Sequence, residues 1–126
     1  WKVKKISSDK YLKILTCNWI LTDLRNWKRS PLKNHVQDYI IYILSGRSDK
    51  TYQATIAWLD KHKVNYDLLI MRPQNQLYKK DSDLKQGWLD TIGKDRVSMV
   101  FDDRNQVVDM WRANGIPCLQ VAEGDF

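Results

Sequence analysis

A chain of 126 residues, 43% of them hydrophobic, is sized for one compact domain with a single core and a single principal site. No run approaches the roughly 18–20 consecutive apolar residues of a membrane helix, and the start, where Lys2, Lys4 and Lys5 surround Val3 and Ile6, lacks a signal-peptide pattern, so a soluble, intracellular protein is expected. The net charge of +6, with a pI near 9.3, fits a polyanionic partner, and Cys17 and Cys118, each in an apolar run without CxxC spacing or histidine neighbours, read as buried thiols rather than zinc ligands. The chain opens at Trp1 without an initiator methionine, so the single domain expected over residues 1–126 can be a piece of something longer.

In chain order, short apolar runs alternate with amphipathic segments, the pattern of an α/β fold. The expected strands are Leu12–Thr16, Tyr39–Leu44, Asp67–Met71, Val97–Phe101 and Cys118–Ala122, mostly continuous apolar runs of the kind buried on both faces in a parallel sheet. A helix is expected over Lys50–Lys61, capped by Ser48, with Tyr52, Ile56 and Leu59 at helical spacing. Others are expected over Ser82–Leu89, with Leu84 and Trp88 one turn apart, and over Asn105–Asn114, with Val108 and Trp111 inward and Gly115 as its stop. The tryptophans among these read first as core residues packed on the sheet. The segment Asp23–Asp38 holds Pro31 and no amphipathic stretch, so the first crossover is expected to be abbreviated or irregular.

Three polar clusters fall at strand ends, where ligands bind in open α/β sheets. Leu44-Ser45-Gly46-Arg47-Ser48-Asp49 offers a hydroxyl, a flexible glycine and a guanidinium, a set able to hold phosphate. Lys79-Lys80-Asp81-Ser82 places two ammonium groups before a helix start, and Phe101-Asp102-Asp103-Arg104-Asn105 carries two adjacent carboxylates of the kind Mg²⁺ prefers. Each cluster has a plainer reading as a turn, a solvated lysine pair or a helix cap. Together they supply what phosphoryl transfer needs.

Their order resembles the haloacid dehalogenase (HAD) superfamily, with a strand-end Ser or Thr, then a Lys, then an acidic pair. The resemblance narrows to the polynucleotide kinase 3'-phosphatase family through Ile43-Leu44-Ser45-Gly46-Arg47, Met71-Arg72-Pro73, Lys79-Lys80-Asp81, the run from Phe101 to Arg112 and the closing Gln120-Val121-Ala122-Glu123-Gly124-Asp125-Phe126. Upstream, Lys28-Arg29-Ser30-Pro31 is similar to the family's Arg-Ser-Pro element. The resemblance implies a three-layer HAD-like (Rossmannoid) fold with a parallel sheet. It further implies that Ser45 and Lys80 grip phosphate, that Gly46, Arg47, Arg29 and Asp81 shape the substrate site, and that Asp102 and Asp103 hold Mg²⁺. The partners implied are nucleic-acid ends bearing 3'-phosphate, beside a kinase domain or within a larger assembly.

The family's first motif, Asp-x-Asp-Gly-Thr, supplies a nucleophile and an acid/base. Aligning Leu21-Thr22-Asp23 with the family's Leu-Thr-Asp puts Thr16 at the nucleophile and Asn18 at the acid/base, so both catalytic carboxylates are expected to be lost and Mg²⁺ affinity to fall. The other alignment makes Asp23 the nucleophile, with Arg25 at the acid/base place, and leaves an active phosphatase. A third reading keeps the fold as a scaffold inside a larger particle.

Overall fold

The protein's structure, a computed structural model, describes residues 11–15, 39–122 and 124–125. Within them, strands β1 (Tyr11–Leu15), β2 (Tyr39–Ser48), β3 (Leu68–Arg72), β4 (Val97–Asp102) and β5 (Cys118–Gln120) form one sheet in the order β3-β2-β1-β4-β5, every pair parallel. Helices α1 (Tyr52–Lys61), α2 (Asp81–Ile92) and α3 (Asn105–Ala113) connect them.

The period-two alternation of β2 sorts the core into two halves. Ile40, Tyr42 and Leu44 face the side covered by α2 and α3, where Leu84, Trp88, Leu89, Val108 and Trp111 pack. Ile41 and Ile43 face the other side, against Leu59 of α1 with Leu69, Met71 and Phe101. Helices therefore cover both faces of a parallel sheet, giving the three-layer α/β fold. Trp111 is fully buried and Trp88 nearly so, as core residues should be, and Trp58 packs partly buried at the edge of the α1 side.

Elements fall within a few residues of expectation, and the departures have causes. β2 runs four residues past Leu44 because its pairing with β3 is irregular between Ser45, opposite Met71, and Ser48, opposite Arg72. Such a bulge lets a strand continue while re-aiming its side chains, so Ser45-Gly46-Arg47 lies on the strand's end rather than after it. Ser48 does cap, its Oγ accepting from the Lys50 N–H at 3.3 Å, but what it caps is a 3-10 turn, Asp49–Thr51, that leads into α1. α2 extends to Ile92 because that side chain is buried in the core, and Gly93, at φ +93°, ends it in a conformation that suits glycine. Gly115, at φ +78°, follows α3 as expected.

Cys118 is buried, and that burial, with the neighbouring Asp102 charge, pushes its thiol up to about 12, the state of an inert core cysteine. Cys17 and the first crossover lie outside the described residues. Among the described residues no helix is long and apolar enough to cross a membrane.

Candidate functional site

The strand order puts β1 between β2 and β4, with Leu15 paired to Ile43 on one side and to Phe101 on the other. The carboxyl ends of β2 and β4 thus flank the end of β1, and these two strands carry Ser45 and Asp102. Thr16 follows Leu15 in sequence but, like Asn18 and Arg29, lies outside the described residues.

Asp102 closes β4 with its side chain fully buried. Its Oδ1 accepts from the backbone N–H of Asp103 at 2.8 Å and of Arg104 at 3.4 Å. Oδ2 accepts from Trp111 Nε1 at 3.2 Å and faces Lys85 Nζ at 3.4 Å. Burial raises its pKa to about 6, and Lys85, the Trp111 hydrogen bond and the two backbone donors only partly offset that.

Lys85 comes from the first turns of α2 and is itself buried. One helical turn earlier on the same face, Asp81 places Oδ2 at 3.1 Å from Lys85 Nζ. Asp81 also meets Arg72 Nη2 at 3.4 Å through Oδ1 and Arg104 Nη1 at 3.6 Å through Oδ2. The same Arg72 guanidinium donates through Nε to the carbonyl of Gly46 at 2.7 Å, so it ties the end of β2 to the start of α2. Two carboxylates and three cations are therefore knit together beneath the end of the sheet.

Ser45 is fully buried, and its Oγ accepts from the Arg47 N–H at 3.2 Å. Gly46 is pressed against Asp81: a Cβ built there would overlap Asp81 Oδ1 and lie 3.2 Å from Asp81 Cγ. A Gly46→Ala change is therefore expected to cost about 1–3 kcal/mol, the range for overpacking, and to displace Asp81. Urea unfolding of the variant beside the unchanged protein measures this.

The predicted residues do not all converge. Gly46, Asp81 and Asp102 do, with Ser45 beside them. Arg47 lines a cavity of about 200 Å³ together with Ala54, Thr55 and Trp58. Lys80 caps the start of α2 with an exposed side chain, and the lysine that reaches Asp102 is Lys85. Asp103 is half-buried, and its carbonyl accepts from Gln120 Nε2 at 3.0 Å. A larger cavity, about 370 Å³, is lined by Pro73, Gln76 and Lys79 with Leu84, Trp88 and Thr91 of α2, and its lining includes none of Ser45, Asp81 or Asp102.

Both Asp102 oxygens already accept, one from backbone N–H groups and one from Trp111 and Lys85, which leaves Asp103 as the carboxylate available at this strand end. Among the described residues no cluster of three or more metal-ligating side chains gathers. Hard divalent cations favour several oxygen ligands, and the described residues alone do not fit one.

A central β1 flanked by strands that carry Ser45 and Asp102 toward their carboxyl ends, with a buried lysine between the acidic groups, is the arrangement of a HAD-like phosphatase domain. The phosphatase-domain model of polynucleotide kinase (PNKP) matches residues 18–126, and the chain belongs to that family. Two solved structures of the Pnkp1/Rnl/Hen1 RNA repair complex contain similar chains, each 32% identical to this one at a TM-score of 0.78 and covering 98% of it. This chain spans 46% of the length of one and 50% of the other.

Proposed function

We propose that this domain binds the 3'-phosphate end of a nucleic acid and hydrolyses it weakly or not at all. The observation that carries the reading is the intact, buried Asp81–Lys85–Asp102 cluster, held beneath Ser45 and Gly46, in a chain whose first-motif positions are Thr16 and Asn18. In this reading the Ser45 hydroxyl and the backbone of the Ser45–Arg47 bulge hold phosphate, Arg47 and Arg29 orient the strand, and Lys80 adds charge at the rim. Lys85 neutralises the acidic pair that would otherwise repel the anion. Mg²⁺ binding is correspondingly weak, because Asp102 is already engaged by Lys85, Trp111 and backbone N–H groups and the nucleophile position offers a threonine where the family offers a carboxylate.

A titration of the protein with single-stranded RNA bearing either a 3'-phosphate or a 3'-hydroxyl tests this. The phosphorylated strand is expected to bind at least about tenfold tighter, with affinity falling steeply as salt rises. Equal affinity for the two ends would rule the reading out.

A second reading is favoured by the neighbours, since both come from a multi-protein RNA repair complex in which a chain about twice this length carries the matching domain. Here the domain serves as a docking module within such an assembly. Stable co-purification with a partner protein, together with no affinity for either RNA end, would replace the first reading with this one.

A further inference from the structure

The loop from β3 to α2 contains an arrangement that neither the buried cluster nor the fold requires. Tyr78 is 88% exposed and the adjacent Leu77 is 54% exposed, although large apolar side chains are usually covered. Lys79 and Lys80 follow directly, leading to Asp81 in the buried cluster.

The exposure is not that of a slack loop. Arg72 Nη1 donates to the carbonyls of Gln76, at 2.9 Å, and Lys79, at 2.5 Å, while Nη2 of the same group faces Asp81. Within the loop, Gln76 N–H donates to the carbonyl of Pro73 and Lys79 N–H to that of Gln76. The carbonyls on either side of Leu77-Tyr78 are thus fixed by a guanidinium whose other end is anchored at Gly46 and Asp81. A braced turn holds an aromatic ring out in solvent between an aliphatic neighbour and two ammonium groups. Among the described residues, the exposed carboxylates near this loop are Asp83, in the first turn of α2, and Asp49, whose Oδ1 accepts from Gln74 Nε2 at 2.7 Å.

We infer that Tyr78, flanked by Lys79 and Lys80, is a stacking platform for a base of single-stranded nucleic acid whose 3' end enters at Ser45 and Gly46. The inference deepens the proposed reading and rests on it for the direction of the strand. An aromatic face with adjacent cations is how single strands are held without reading their sequence: the ring stacks on any base and the lysines follow the phosphates. Three residues of chain reach at most about 10 Å, so Tyr78 lies within that distance of Asp81, along the path of a strand leaving the phosphate pocket. The positive charge beside the ring favours nucleic acid over an apolar protein surface.

The test uses short single-stranded RNA carrying the fluorescent base 2-aminopurine next to its terminal nucleotide, with 3'-phosphate and with 3'-hydroxyl. Each is titrated against the unchanged protein, Tyr78→Ala and Tyr78→Phe, with inorganic phosphate as a separate competitor. The unchanged protein and Tyr78→Phe are expected to quench the base on binding, as stacking does. Tyr78→Ala is expected to bind both strands about 5- to 100-fold more weakly without quenching, while competition by inorganic phosphate is unaltered. A fully exposed ring can be removed without unfolding the domain, and thermal unfolding of Tyr78→Ala confirms that. Tyr78→Ala binding both strands within twofold of the unchanged protein overturns the platform and leaves the phosphate reading standing. Loss of discrimination between the two ends, with the Tyr78 effect intact, overturns the phosphate reading and keeps the platform. No binding of either strand overturns both.

Discussion

A Thr16→Asp, Asn18→Asp double variant is expected to release phosphate from a 3'-phosphorylated oligonucleotide, in buffer containing Mg²⁺, at least about 10⁴-fold faster than the unchanged protein. The argument starts from the sheet. Leu15 of β1 pairs with Ile43 and Phe101 in the strands that carry Ser45 and Asp102, and Thr16 is the next residue in the sequence. A threonine hydroxyl attacks poorly without an adjacent base, and an asparagine at position 18 donates a hydrogen bond but carries no proton back and forth. Each such group is worth about 10²–10⁴ in rate, and groups that act as one unit give most of their effect only when all are present. Each single variant is therefore expected to recover far less than the pair. Phosphate release by the unchanged protein at ordinary phosphatase rates would defeat the claim of impaired catalysis and direct attention to Asp23. In that case Asp23→Asn should abolish the activity.

Much of the architecture was legible because buried parallel strands announce themselves as uninterrupted apolar runs, and Tyr39–Leu44, Val97–Phe101 and the helix after Ser48 all reappear. Asp102 was legible for the same reason, as a carboxylate ending such a run. Lys85 was missed. A pair of adjacent lysines before a helix start looks like an anion site, but Lys80 is exposed and Lys79 half-buried, and neither is the lysine that meets Asp102. The signal for Lys85 was nonetheless present: Asp81, Lys85, Trp88 and Ile92 share a helical face with Leu84 and Leu89, which puts a lysine on the buried side of α2 where it needs a counter-charge. The bracing role of Arg72 and the reach of Trp111 to Asp102 had no such signal. Both depend on which strand lies beside which, and the local spacing of residues does not encode that. The extension of β2 through Gly46 is of the same kind, since a bulge is decided by the partner strand.

Lys85→Met is expected to cost about 3–5 kcal/mol of folding stability at pH 8 in metal-free buffer, the range for leaving one buried charge without its partner. The loss does not fall evenly. Asp81 keeps Arg72 and Arg104 as counter-charges, whereas Asp102 retains, among the described residues, the hydrogen bonds from Trp111 and from the backbone N–H groups of Asp103 and Arg104. Burial already holds the Asp102 pKa at about 6, above its unfolded value, against the opposing pull of Lys85, so removing Lys85 raises it further. A carboxyl whose folded pKa is raised contributes stability that is fully present below its unfolded pKa and is lost as pH rises through the folded value. The variant's deficit is therefore largest at alkaline pH and shrinks as pH falls toward about 6, because Asp102 in the variant takes up its proton at higher pH than in the unchanged protein and then no longer needs a cation. Adding Asp102→Asn to Lys85→Met should recover much of the loss at pH 8, because the second change removes the orphaned charge. Urea unfolding of both variants at pH 8 and pH 5 decides the matter. A deficit that is the same at the two pH values would mean that Lys85 matters for its packing and not for the charge it sets against Asp102.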